Sequence, residues 1–95
     1  MVIGDKTTGI VSVVAGGFME VRPDAGVEWV IHNVYHADSA ELHISDGTNS
    51  FMFDFQNGQG AWLKYAFQMT NGHFLKIKNT GTDVQFIAFD GVVTK

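Results

Sequence analysis

The chain has 95 residues, a net charge of −4 and no cysteine. That length makes one domain around one core, and the missing cysteines exclude disulfides, thiolate metal sites and cysteine nucleophiles. The six Lys and Arg residues are scattered rather than gathered into a basic stripe, so no nucleic-acid partner is expected.

Hydrophobic residues make up 45% of the chain and aromatics 13%, with eight phenylalanines. A domain of this size buries roughly 60–65% of its extendable surface, so two thin layers need large side chains to fill them. No apolar run approaches the roughly 20 residues that cross a bilayer, and no membrane partner is expected. The opening MVIGDKTTG lacks the basic start and long apolar stretch of a signal peptide. A cysteine-free domain this small points to an intracellular origin or to help from oligomerisation.

In chain order, residues 1–9 read as an N-terminal arm, with Val2 and Ile3 available to lie on a neighbouring subunit. A frayed terminus is the plain alternative. Residues 10–95 then form a single β-sandwich domain. Turn signals recur at AGG, RPDAG, HADS, SDGTN, QNGQG, TNG and NTGTD, and between them lie short segments rich in Val, Ile, Phe, Tyr and Trp. That punctuation predicts about eight strands, near 10–14, 17–22, 27–35, 40–45, 50–55, 61–69, 73–79 and 83–89, with a short further strand at 92–94. The expected fold is all-β, an antiparallel, jelly-roll-like sandwich.

Alternation assigns faces. AELHIS places Leu42 and Ile44 inward. FMFDF places Phe51, Phe53 and Phe55 on one face and Met52 and Asp54 on the other. QNGQGAWLKYAF puts Leu63, Tyr65 and Phe67 in the core, with Trp62, Lys64, Ala66 and Gln68 on the polar phase. HFLKIKN puts Leu75 and Ile77 inward and leaves Phe74, Lys76 and Lys78 outside. VEWVIHNVY is apolar on both phases, as in a central strand or one covered by a partner.

Chemistry-bearing residues form no motif. A hairpin joining 27–35 to 40–45 would set His32 opposite His43, but a closed zinc site needs four ligands and no third is evident. His32 and His36 lie about 13 Å apart along a strand, too far to share one ion. In SDGTNS, Asp46 and Asn49 fall far short of the six to eight oxygens that calcium takes, and Asp-Gly is a hairpin signal. Asp90-Gly91 and Asn71-Gly72 read the same way. No nucleophile elbow or paired-carboxylate cleft is indicated. No catalytic, cofactor or metal residues are expected, and the protein reads as a non-enzyme. The candidate contact residues are Val2, Ile3, Met52, Trp62 and Phe74, apolar side chains at the terminus or on the polar phase of a strand. Burial of Trp62 at the end of the core is the competing reading.

The stretches VEWVIHNVYHADSAELHISDGTNSF and TNGHFLKIKNTGTDVQFIAFDGVVTK give the chain a recognisable texture: an aromatic strand, a DGTN turn, a lysine-flanked strand and a DGV ending. Over residues 27–95 it resembles small all-β virion proteins of tailed bacteriophages, most of all capsid decoration, or cement, proteins. Residues 1–26 carry no such likeness, and with Pro23 as the only proline the arm differs from the proline-rich arms of several such families. The resemblance implies a structural protein made in the host cytoplasm that binds the outer capsid surface. Its partners would be the major capsid protein and further copies of itself, with a trimer favoured. A tail or neck component, or a carbohydrate- or receptor-binding module using Trp62 with Asn57, Gln59 and Gln68, is the alternative.

Overall fold

The computed structural model, which describes residues 2–95, turns the β-branched and aromatic runs into nine strands. They are β1 (Lys6–Val13), β2 (Phe18–Val21), β3 (Trp29–His36), β4 (Ala40–Ser45), β5 (Ser50–Gln56), β6 (Gly60–Trp62), β7 (Phe67–Met69), β8 (Phe74–Asn79) and β9 (Gln85–Val93). There is no helix among the described residues.

The strands form two antiparallel sheets, ordered β1-β9-β3-β6 with β7 also on β3, and β2-β8-β4-β5. The pairs β1 with β9, β2 with β8, β3 with β6 and β7, and β4 with β5 are nested, as in one long hairpin. Rolling that hairpin up adds the β3–β9 and β4–β8 pairs. The all-β sandwich expected from the sequence is therefore the observed architecture, and its pairing is consistent with a jelly-roll path. Ile31, Val34, Leu42, Met69, Leu75, Ile77 and Ile87 fill the space between the sheets.

Several boundaries differ from the sequence reading. Lys6–Gly9, assigned to the arm, belong to β1 and pair with β9 from Val92 to Phe89. Even before β1, the Gly4 amide donates to the Val93 carbonyl and the Val93 amide to that of Asp5. The expected strand at 61–69 is two short strands, because Lys64 adopts a left-handed conformation at φ 61°. The kink changes the phase along the segment: ahead of it Trp62 is buried and Leu63, expected inside, is exposed, and beyond it Phe67 and Met69 turn inward while Tyr65, also expected inside, is exposed.

Asp90-Gly91 is no turn. Residues 85–93 run as one strand, and Gly91 sits opposite a bulge in β3 where His32 is the extra residue. That bulge lets Ile31 and Val34, three apart, both reach the core. A second bulge lies between Leu42 and His43, which face Asp54 and Met52 and leave Phe53 as the extra residue. It places Asp54 across from buried Leu42 and splits the expected faces, so Asp54 turns inward while Met52 and all of Phe51, Phe53 and Phe55 are exposed. Ile44, expected inside, is partly exposed beside the hairpin end. The SDGTN hairpin does form, with Gly47 at φ 93°.

Gly91 is required by close approach rather than by its dihedral. A Cβ there would lie 2.2 Å from the Val30 carbonyl oxygen and 2.8 Å from Ile31 Cα. Both obstacles are backbone, so relief requires separating β3 from β9. Gly91→Ala is expected to cost about 3 kcal/mol or more, at the upper end of overpacking effects, with the loss read as a lowered urea midpoint.

Candidate functional site

The five candidate contact residues fall into two groups. Val2, Ile3 and Met52 are exposed, Met52 on the outer edge strand β5. Trp62 and Phe74 are 2% and 0% exposed, so neither offers a surface to a partner or a sugar ring. Trp62 points between the sheets. Its indole Nε1 donates to Asp54 Oδ2 at 3.0 Å, and its ring lies 4.9 Å from that of His36. Phe74 is capped by the Arg22 guanidinium, 4.3 Å above its ring, and Arg22 Nε is held by the Asn71 carbonyl. The sequence signal missed this because a cation covers an aromatic as well as an apolar layer does.

The histidines are dispersed by the topology. β3 and β4 lie in different sheets, so His32 and His43 are not opposed. His36 is buried, with Nε2 bonded to Gln56 Oε1 and Nδ1 donating to the Asp38 carbonyl. His43 lies beside Glu41 at 3.1 Å and edge-on to Phe18. No group of three metal-ligating side chains occurs among the described residues. The Asp46 carboxyl is held below its ordinary value of 3.8 by the Asn49 and Thr48 amides, a turn-closing role.

The outer face of the β1-β9-β3 sheet carries a polar cluster. Asp90 accepts from Asn33 Nδ2 and from the Tyr35 hydroxyl, both at 2.7 Å. His32 donates through Nδ1 to the Tyr65 carbonyl at 3.0 Å. Lys6, Thr8, His32, Asn33 and Asp90 line an open cleft of about 500 Å³. The hydrogen bond to Asp90 raises the Tyr35 phenol above its ordinary 10.0, and desolvation and the Asp90 charge act in the same direction. The sequence hid this cluster because Asp90-Gly91 reads as a turn, and only the β3 bulge aligns Asn33 with Asp90.

The larger exposed feature is apolar. On one side of the sandwich Ile10, Val14 and Phe86 are exposed on and beside β1 and β9. On the other, Phe51, Met52, Phe53 and Phe55 are exposed along β5. The Phe53 ring contacts that of Phe67 at 5.9 Å, and Phe67 contacts Tyr65 at 4.9 Å, so this patch runs across both sheets. No family model matches the chain, and no curated protein matches it.

Two outcomes follow. Trp62→Ala should cost about 3–5 kcal/mol in urea unfolding, the usual loss for a core aromatic, and Asp54→Ala about 1–3 kcal/mol from the orphaned indole. A Trp62→Ala protein of unchanged stability would contradict burial. A phenolate absorbance titration should show one tyrosine ionising above 10.0, absent in Tyr35→Phe and moved back toward 10.0 in Asp90→Ala. Because the folded value is raised, this contribution to stability is complete below pH 10.0 and is lost as pH rises through the folded value.

Proposed function

We propose that the chain is a non-enzymatic structural subunit of a bacteriophage virion, a capsid decoration protein that stabilises the head by bridging capsid subunits. The observation that carries this reading is the amount and placement of exposed apolar surface. Large apolar side chains emerge on opposite sides of one small sandwich, from β5 and from the β1–β9 region. Contiguous apolar patches on a soluble domain mark contact surfaces. A subunit that must touch more than one neighbour needs them on more than one side. Val2 and Ile3 extend the surface beyond β1, although the Gly4 and Asp5 backbones anchored to Val93 keep the arm's reach short.

A carbohydrate-binding reading is weaker, because its stacking residue, Trp62, is buried and bonded to Asp54. The negative net charge also suits an outer surface, away from a packaged genome.

The test is peptide mass spectrometry of purified particles of the virus that encodes the chain, with heads and tails separated. It is paired with sedimentation of added protein on mature shells that lack it. The expected result is recovery in the head fraction and co-sedimentation that prevents shell rupture on heating. Recovery in tails alone, or in neither fraction, overturns the decoration role.

A further inference from the structure

We infer that β5 is a self-association edge, on which a second copy of this chain docks antiparallel about a two-fold axis. β5 is the outermost strand of its sheet and pairs only with β4, so its other side is open. Soluble proteins blunt such edges with lysine, proline or inward charge. Ser50–Gln56 has no lysine and no proline; it carries a bulge and an inward Asp54, whose carboxylate is already engaged by the Trp62 indole and the Phe55 amide. What the strand leaves exposed is phenylalanine and methionine.

The chemistry of the edge selects the occupant. From Gly47 to Leu63 the only charged residue is Asp54. In a chain of net charge −4, two copies that meet here bring no like charges together beyond the engaged Asp54. It offers no charge for a foreign, electrostatically matched partner to read. The area also fits. Phe51, Phe53, Phe55, Met52 and Tyr65 are 69%, 41%, 58%, 42% and 39% exposed. With aromatic side chains burying about 150–250 Å² each, they present on the order of 500 Å² of apolar surface. At the usual apolar share of about 57%, that corresponds to roughly 900 Å² per copy, against about 800 Å² per partner in a standard interface. A two-fold contact buries the same patch on both copies and closes without leaving a free edge. The bulge at Phe53 limits backbone pairing to short runs, so the phenylalanine rings carry most of the contact.

The proposal concerns the free chain and holds or fails independently of any virion role. The test is the solution mass by light scattering of the wild type, of Phe53→Lys/Phe55→Lys, and of Phe86→Lys as a control on the opposite side. All three replaced side chains are at least 41% exposed, so circular dichroism should show an unchanged fold. The wild type and Phe86→Lys should have twice the 10.4 kDa chain mass, and the double variant should fall to 10.4 kDa. Its self-affinity should weaken roughly 100-fold or more through the like charges brought together. Because the chain has no cysteine, single cysteines placed along 50–56 report contact directly, and disulfide dimers should form at the positions nearest the axis. A monomeric or trimeric wild type, a dimer that survives the double substitution, or crosslinking at no position in 50–56 overturns the inference.

Discussion

The bond between the Trp62 indole and the Asp54 carboxylate joins the two sheets on the side of the sandwich away from β1 and β2. Much of the surface follows from it. A tryptophan is the largest side chain available to fill the gap where β6 lies over β5, but its N–H needs a partner when buried. Asp54 supplies that partner, so it must turn inward, next to Leu42 in the pairing of β4 with β5. Turning Asp54 inward needs the extra residue at Phe53, and the phenylalanines around it are displaced from the core. One part-buried hydrogen bond thus accounts for the exposure of Phe53 and Phe55.

The strand ends around Asn79, close to this bond, rest on a comparable device. Asn79 is buried, and its amide nitrogen donates to the Val13 and Asp83 carbonyls. Its oxygen accepts from the Gly81 amide and from Gln85 Nε2, and Gln85 Oε1 in turn accepts from the Ala37 and Asp38 amides. Two side-chain amides therefore satisfy backbone groups from three connections that leave strands at the same end. A network with each member paired is worth more than its parts, because every alternative leaves a polar group dry. The sheets are pinned together by polar groups at the Trp62–Asp54 bond and at these neighbouring strand ends.

This division explains what the sequence makes legible. Period-two patterning and turn residues report local conformation, and they identify the all-β class, the SDGTN hairpin and the inward Leu42, Leu75 and Ile77. They fail wherever a long-range contact resets the phase. The bulges at His32 and Phe53 and the left-handed Lys64 each shift alternation by one step, which moves every following side chain to the other face. Trp62 and Phe74 escape the pattern because their partners, Asp54 and Arg22, are invisible to periodicity. Asp90-Gly91 is a turn pair by composition, yet the glycine serves close packing of β9 on β3. Of the candidate contact set, Val2, Ile3 and Met52 keep their exposure, because no distant residue intervenes.

The treatment of the sheet edges carries the last step. β2 is only four residues long, and Pro23 follows shortly after it. The edge formed by β6 and β7 is broken into two three-residue pieces by Lys64. Both are poor templates for another strand. β5 carries a bulge and the inward, engaged Asp54 but no lysine or proline, and it adds exposed rings rather than removing them. An isolated subunit with that edge open would be prone to uncontrolled pairing. A closed contact between copies removes the hazard by using it, and it leaves the β1–β9 side, with Ile10, Val14 and Phe86, free to face a different neighbour. The same fold then supports two unlike contacts from opposite edges, which is the geometry an assembly subunit requires.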